Sequence, residues 1–281
     1  MSDINIASSN VLVELNISLW TARKLDKGVS KEVSVSKGAT TSAGNYNKHL
    51  LAGSEALAKI QQHASEIRDY HMRQTLPWSS SGGIRLLPMT QFFDYKQQMD
   101  EHQELFQERV NEFINNYPKI VDAMAYKLGA LFDRSEYPAA DEIRSKYKIG
   151  YTFLPVPEVN HFDNINTEMK KDLKEQYEKA YNDRIKFAMD SAWTRLHDTL
   201  AHMLERLQGE DKKIFRDTLV TNALELTGLL SSLNITKDPK LESARQELEK
   251  AIVGVDAQDL RENDFLRKHV ANKVNEIMGL I

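Results

Sequence analysis

The most distinctive hydrophobic pattern lies in residues 167–208, which contain neither Gly nor Pro. Apolar residues recur there in steps close to three and four, with one gap around Arg184. Such a narrow apolar seam predicts one long helix that needs another helix against it. At 1.5 Å per residue this helix would be about 60 Å long, so we expect an elongated molecule. The seam consists of Met169, Leu173, Tyr177, Ala180, Ala188, Ala192, Leu196, Leu200, Met203 and Leu207.

A second long helix is predicted over residues 90–116, where large apolar side chains again recur at helical spacing. Pro118 predicts the end of this helix, because proline lacks the backbone donor that a helix interior requires. We expect the two long helices to lie antiparallel as a coiled-coil-like pair. The second seam consists of Phe93, Met99, Phe106, Val110, Phe113 and Tyr117.

The other helical patterns are shorter. Pro138 and Pro239 each fall in a predicted first turn, where a missing N–H breaks no hydrogen bond. No repeat of fixed period is present, so a solenoid is not expected. These helices are predicted at residues 48–72, 118–132, 138–147, 211–233, 238–252 and 256–278, the last three forming a C-terminal helical region, 211–281.

Two segments predict β-strands. Apolar and polar residues alternate over residues 11–20, which predicts a half-buried strand. Residues 149–156 are rich in strand-forming residues and are closed by Pro155 and Pro157, which limits this strand to an edge or a short length. We expect the two strands to pair.

Together these patterns predict a mainly α protein: a single elongated helical domain, residues 1–281, with a long antiparallel coiled-coil-like helix pair and a small two-stranded β element. The 281 residues are 41% hydrophobic, which is enough for a substantial core. The chain has no cysteine, which excludes disulfides and thiolate metal sites. It also has no long apolar stretch and no signal-like N-terminus, so we expect a cytoplasmic protein.

The formal net charge of −4 means that any nucleic-acid contact requires a local basic patch. Residues 21–46 are rich in Lys, Ser, Thr and Gly and predict a basic flexible loop, with a short ribbon around Val33 and Val35. Its cations suit contacts with a phosphate backbone, but a solvated surface loop has the same composition. The candidate contact residues are Arg23, Lys24, Lys27, Lys31 and Lys37.

Residues 76–85, Leu-Pro-Trp-Ser-Ser-Ser-Gly-Gly-Ile-Arg, form a second candidate site. The glycine pair can expose backbone N–H groups to a phosphate, Trp78 can stack a base, and Arg85 and the preceding Arg73 supply positive charge. The segment lacks the Gly-Lys-Ser/Thr ending of a nucleotide-binding loop. Its alternative interpretation is a turn between helices, in which Trp78 and Leu86 close the end of a bundle.

The sequence contains no recognisable catalytic or metal-binding pattern. His197 and His202 are five residues apart, which spreads them around a helix, and no His-Glu-x-x-His pattern occurs. The serines near Trp78 lack the Gly-x-Ser-x-Gly context of a nucleophile elbow. We therefore predict a protein that is not an enzyme, with no catalytic residue, cofactor or metal.

Several different short strings lie along the chain: Leu76-Pro77-Trp78, Arg85-Leu86-Leu87-Pro88, Tyr137-Pro138, Pro155-Val156-Pro157, and Leu233-Asn234-Ile235 followed by Asp238-Pro239. Together they resemble an uncharacterised protein family of bacteriophage and prophage genomes, over most of the chain. Members of that family lie near genes for MoxR-type AAA+ ATPases and their von Willebrand-type partner proteins. The resemblance therefore implies a phage-encoded protein that binds a protein partner, and it implies no catalytic residues.

The leading hypothesis is a noncatalytic, phage-encoded helical interaction or scaffold protein in the host cytoplasm. It would act through protein–protein contacts or self-assembly, with an AAA+ ATPase or a second copy as partner. The alternative is a nucleic-acid-binding protein in phage DNA replication, recombination or packaging, which would use the basic loop and Trp78. Inhibition of a host defence system is a third hypothesis, which has no signature in the sequence.

Overall fold

The computed structural model describes residues 6–79, 82–157, 167–208 and 216–280. The helices are α1 (Ile6–Ser9), α2 (Lys27–Ser36), α3 (Glu55–Gln74), α4 (Phe92–Leu128), α5 (Ala140–Arg144), α6 (Thr167–Leu207), α7 (Thr218–Leu233), α8 (Pro239–Ile252), α9 (Ala257–Glu262) and α10 (Asp264–Met278). The strands are β1 (Asn10–Ser18), β2 (Arg23–Asp26), β3 (Tyr46–His49), β4 (Leu76–Pro77), β5 (Ile84–Pro88) and β6 (Lys148–Pro155). The predicted mainly α class is thus confirmed. None of the described helices is both long and apolar enough to cross a membrane.

The main sheet has the strand order β4-β5-β1-β6. The predicted pairing of the strands at residues 11–20 and 149–156 is confirmed, because β1 and β6 are neighbours. β5 lies antiparallel to β1, with Leu86 opposite Leu12, and β4 pairs with β5 through Leu76. The sheet is therefore larger than the predicted two-stranded element. β5 was not predicted because its side chains from Arg85 onward are buried on both faces, which removes the alternation that marks a half-buried strand.

The structure corrects the basic flexible loop expected over residues 21–46. β2 and β3 form an antiparallel pair, and α2 lies between them in the chain. The Asp26 side chain caps α2, since its Oδ1 accepts the N–H of Val29 at 3.1 Å. Val33 and Val35, expected on a short ribbon, lie on α2. Ser and Gly favour turns and caps over the interior of a helix, so the composition of residues 27–36 did not reveal α2.

α3 begins later than the predicted helix over residues 48–72. Gly53 has a φ of +67°, a left-handed conformation that interrupts helical geometry. The Oγ of Ser54 then accepts the N–H of Leu57 at 3.4 Å, which marks the start of the helix.

α4 continues through Pro118, so the predicted helix end near residue 116 was wrong. The segment predicted as a separate helix over residues 118–132 instead contains the last part of α4. A proline inside a helix costs about 3 kcal/mol, and the apolar seam, buried on both sides of this proline, offsets that cost. The buried seam consists of Phe106, Val110, Phe113, Tyr117, Val121 and Met124.

α6 confirms the helix predicted over residues 167–208. Tyr181 and Ile185 fill the gap expected around Arg184, and the seam advances in repeated steps of four, four, four and three. α6 packs against α10 and α7, and its predicted pairing with the helix over residues 90–116 stays a prediction. The seam is half-buried at Leu173, Tyr177, Tyr181 and Ile185, and buried at Ala188, Ala192, Leu196, Leu200, Met203 and Leu207.

The C-terminal helices are close to their predicted positions. Asp238 caps α8, and Pro239 occupies its first turn, as expected. The helix predicted over residues 256–278 is divided at Asn263, whose Oδ1 accepts the N–H of Leu266 at 3.0 Å and so caps α10. Residues 211–215 of the helix predicted over 211–233 lie outside the described residues.

Backbone contacts group the chain into two compact units, and the predicted single elongated domain stays a prediction. Unit 1 comprises Met1–Glu14, His71–Tyr95 and Thr152–Ile281, and unit 2 comprises Leu15–Tyr70 and Lys96–Tyr151. The core of unit 1 joins the C-terminal part of α6 to α7, α8, α9 and α10. In unit 2 the seams of α3 and α4 are buried, including Ile60, Ala64, Ile67, Phe106, Val110 and Phe113.

Candidate functional site

Trp78 was predicted to stack a base, but its side chain is buried, with only 2% of its surface exposed. Its ring meets Tyr181 edge-on, with the ring centroids 5.7 Å apart. The guanidinium of Arg184 lies 5.8 Å from the Trp78 ring centroid, which is a cation–π distance. The buried Nε1 of Trp78 has no acceptor among the described residues. These contacts hold the ring inside unit 1 instead of presenting it to a ligand.

Arg85 is also buried, with 3% of its surface exposed, and it binds the C-terminal end of α3. Its Nε donates to the Thr75 hydroxyl at 2.6 Å and its Nη2 to the Thr75 carbonyl at 2.9 Å. A second guanidinium, that of Arg195 on α6, donates to the carbonyls of Arg73 at 2.8 Å, Met72 at 2.9 Å and Thr75 at 2.6 Å. The last carbonyls of a helix lack partners within the helix, so the two arginines satisfy them. Arg85 therefore stabilises the fold instead of facing a phosphate.

This cluster also changes the protonation of its neighbours. Burial is the larger cause and the charge of Arg195 the smaller cause that lower the pKa of Arg85 to about 10. Burial, together with the charge of Arg85, lowers the pKa of His71 to about 4, so His71 is neutral at pH 7. The Nδ1 of His71 lies 2.7 Å from the hydroxyl of Tyr95. The side chain of Arg73 is exposed, and its backbone carbonyl binds Arg195.

The basic candidates of unit 2 are on the surface, unlike Trp78 and Arg85. Residues 23–49 contain six Lys or Arg and two Asp or Glu, a local charge of +4 in a chain whose total is −4. Lys24 forms an ion pair with Glu136, in which Nζ of Lys24 lies 3.7 Å from Oε1 of Glu136. The residues predicted as one contact set therefore divide between two units. The exposed members in unit 2 are Arg23, Lys24, Lys27, Lys31 and Lys37.

Lys48, unlike the other basic residues of this segment, is buried. Its ammonium is 2.5 Å from a Glu136 carboxylate oxygen and 3.6 Å from one of Asp26, and it donates to the Leu131 carbonyl at 2.7 Å. Burial disfavours the charge on Lys48, but the hydrogen bond and charge of Glu136 and the charge of Asp26 outweigh burial and raise the pKa of Lys48. Lys48 thus connects the start of α2 to the segment after α4.

A cavity of about 650 Å³ lies between the C-terminal part of α6 and the first turns of α7. Its lining combines hydrogen-bonding and charged side chains with two apolar ones. The Asp217 side chain does not cap α7 and pairs with Arg261 instead. The lining residues are Asp198, Thr199, His202, Met203, Arg206, Arg216, Thr218, Leu219 and Asn222.

Within the described ranges, no three His, Asp or Glu side chains are grouped closely enough to hold a metal ion. Comparison with known proteins adds no function: no family model, curated protein or solved structure matches this chain.

Sequence reasoning missed Arg195, Arg184 and Lys48. The acceptors of Arg195 are backbone carbonyls 120 to 123 residues away, and a backbone carbonyl has no signature in a sequence. Lys48 was placed at the start of a predicted helix, because neither the strand β3 nor the distant Glu136 could be read from the local pattern.

Proposed function

We propose that this protein is a noncatalytic helical interaction protein, which acts by holding a partner protein against the N-terminal half of α6. One observation carries the proposal: a single apolar seam runs along α6 but is covered over only part of its length. From Ala188 to Leu207 the seam is buried, whereas from Leu173 to Ile185 it is half-buried. Phe187, at the junction, is 45% exposed.

The half-buried seam is already partly ordered by contacts within unit 1. The Tyr177 hydroxyl donates to the Pro157 carbonyl at 2.6 Å, and Tyr177 stacks on Tyr181 with ring centroids 6.1 Å apart. Tyr181 in turn contacts the buried Trp78. Aromatic side chains held in fixed positions are effective contact residues, because binding costs little additional conformational entropy.

The partner with the best chemical fit is another amphipathic helix. A helix that laid its apolar face on this seam would bury the aliphatic and aromatic groups and leave its polar face in solvent. The phage-family resemblance supports a protein partner, with a MoxR-type AAA+ ATPase or a second copy as its identity.

Site-specific photo-crosslinking in the host cell tests this proposal. A photoreactive residue at Leu173 or Ile185 should give a discrete adduct with a partner protein, which mass spectrometry can identify. The same residue at Glu175 or Lys179, exposed positions outside the seam, serves as the control. Equal adduct yields at seam and control positions would exclude the seam as the binding face.

Nucleic-acid binding is a second candidate function, favoured by the exposed cations of α2. Lys27 and Lys31 lie one helical turn apart on the surface, within a segment of local charge +4. Replacing Lys24, Lys27 and Lys31 together should reduce oligonucleotide affinity for all sequences and flatten its dependence on salt. Salt-independent binding, or equal binding by the triple variant, would exclude this function for α2.

A further inference from the structure

Unit 2 carries a basic stripe on α2, formed by Lys27, Lys31 and Val35. The three side chains are spaced by four residues, so they follow one another along the same side of the helix. All three are exposed, and Val35 has 69% of its surface in solvent. Neither lysine of the stripe forms an ion pair with any residue that the structure describes.

Unit 2 also carries an acidic stripe on α4, formed by Leu105, Glu108 and Glu112. Their spacing of three and four residues places them on one side of α4. All three are exposed, with Leu105 at 38%. Across the described part of the chain, neither glutamate has an ion-pair partner.

We propose that the basic stripe of one copy binds the acidic stripe of a second copy, with α2 antiparallel to α4. In this orientation Lys27 meets Glu112, Lys31 meets Glu108, and the apolar ends meet each other. The spacings match: two residues four apart on a helix are separated by about 6 Å along its axis, on both stripes. Along the helix axis, Val35 lies about 12 Å from Lys27, and Leu105 lies about 10.5 Å from Glu112. The two apolar side chains therefore meet when the charged pairs form.

The composition of the basic stripe favours a protein surface over nucleic acid. A phosphate backbone matches the two lysines but offers no apolar surface for Val35, which is 69% exposed. The acidic stripe supplies both kinds of group in the required order. A small contact that combines charged pairs with one apolar pair is typical of a weak, reversible protein interface.

Such a contact is heterologous, because it joins two different surfaces. Each copy that uses its basic stripe keeps its acidic stripe free, so association continues from copy to copy unless the geometry closes a ring. The inference rests on the proposed function only in that both assign an interaction role. It concerns residues of unit 2 and is tested with variants of those residues, whereas the proposed function is tested by crosslinking on α6. Each proposal can therefore fail without the other.

Sedimentation velocity of the full chain at several concentrations tests the inference. At low salt the wild-type mass should rise with concentration above 32.2 kDa, and at roughly 0.5 M salt it should return to 32.2 kDa as the charges are screened. The variants Lys27→Glu/Lys31→Glu and Glu108→Lys/Glu112→Lys should each remain at the monomer mass at low salt. An equimolar mixture of the two variants should associate again, because each supplies the surface that complements the other.

The matched control for the lysine variant is Lys240→Glu/Lys268→Glu, which also lowers the net charge by four, at exposed positions of unit 1, and should associate like wild type. Unchanged circular dichroism should show that every variant is folded. A wild-type mass of 32.2 kDa at all concentrations in low salt overturns the proposal, as does a variant mixture that stays monomeric. A monomeric wild type whose mass rises only with a double-stranded oligonucleotide also overturns it and assigns the lysines to nucleic acid.

Discussion

Arg85 and Arg195 donate hydrogen bonds to the same two carbonyl oxygens, those of Met72 and Thr75. Two like charges thus share one set of acceptors at the C-terminal end of α3. The arrangement is favourable because a helix C-terminus carries partial negative charge, which attracts cations. It ties α6 and β5 to the same turn of backbone within unit 1.

Replacing Arg195 by methionine should lower the free energy of unfolding by about 2 to 4 kcal/mol. The variant removes three charge-assisted hydrogen bonds and leaves the Arg73 carbonyl without this donor. Arg195→Lys should lower the free energy of unfolding by a smaller amount, because an ammonium keeps the positive charge. Some loss should remain, because an ammonium cannot reproduce the guanidinium fork. Urea unfolding measures both. Lys186→Met, at an exposed position of the same helix, should change stability by less than about 0.5 kcal/mol.

His71 should make unit 1 less stable in mild acid. Its pKa is about 4 in the folded protein and 6.5 when unfolded, so the unfolded chain binds the proton more readily. The stability that is linked to the protonation of His71 is fully present above pH 6.5 and is lost as the pH falls toward 4. Between pH 7.5 and 5.5 the loss should be about 1.4 kcal/mol. His71→Gln removes the titrating group, and an unchanged pH dependence in that variant would show that other groups are responsible.

Trp78→Ala should destabilise the protein by about 3 to 5 kcal/mol, because it opens a cavity beside Tyr181 and removes the surface on which Arg184 rests. Trp78→Phe should cost less than about 1.5 kcal/mol, since it keeps a ring and removes the buried Nε1 that has no acceptor among the described residues. Tyr126→Ala is the control, because that side chain is 94% exposed. A loss of oligonucleotide binding in Trp78→Ala with no loss of stability would restore the base-stacking interpretation.

Lys48→Met should lower the free energy of unfolding by about 2 to 3 kcal/mol, since it leaves the half-buried carboxylate of Glu136 with only the more distant ammonium of Lys24, at 3.7 Å, as its cation. The double variant Lys48→Met/Glu136→Leu should recover part of that loss, because it removes both charges together. Chemical denaturation of the two single variants and the double variant gives the coupling energy. Additive effects would mean that the two side chains do not depend on each other.

Local patterns predicted the elements that are decided locally. The 41 residues of α6 follow from a helical seam in a segment that contains neither Gly nor Pro, and the start of α8 follows from Asp238 and Pro239. Pro118 misled the prediction because its cost is local, whereas the packing that offsets it comes from residues on both sides of the helix. The break at Asn263 was not predicted, although an asparagine before a helical turn is a common cap.

The candidate site was less predictable because its geometry depends on distant contacts. Trp78, Arg73 and Arg85 looked like one exposed loop in the sequence, but Trp78 packs on Tyr181 of α6, 103 residues later, and Arg85 shares its carbonyl acceptors with Arg195, 110 residues later. The lysines of α2 are exposed, and their role as contact residues stays a prediction, but the sequence did not reveal the helix that spaces them. That spacing is the property on which their proposed contact with Glu108 and Glu112 depends.

The seam of α6 advances by 15 residues in four turns, from Leu173 to Ala188 and again from Ala188 to Met203. This is 3.75 residues per turn, more than the 3.6 of a straight helix, whereas a heptad repeat has 3.5. A partner helix with an ordinary heptad would drift off the seam within a few turns and lose its contacts. Under the proposed function, a partner that follows the seam would have to wind around α6 in the right-handed sense, so α6 would discriminate among helices by their periodicity as well as by their side chains.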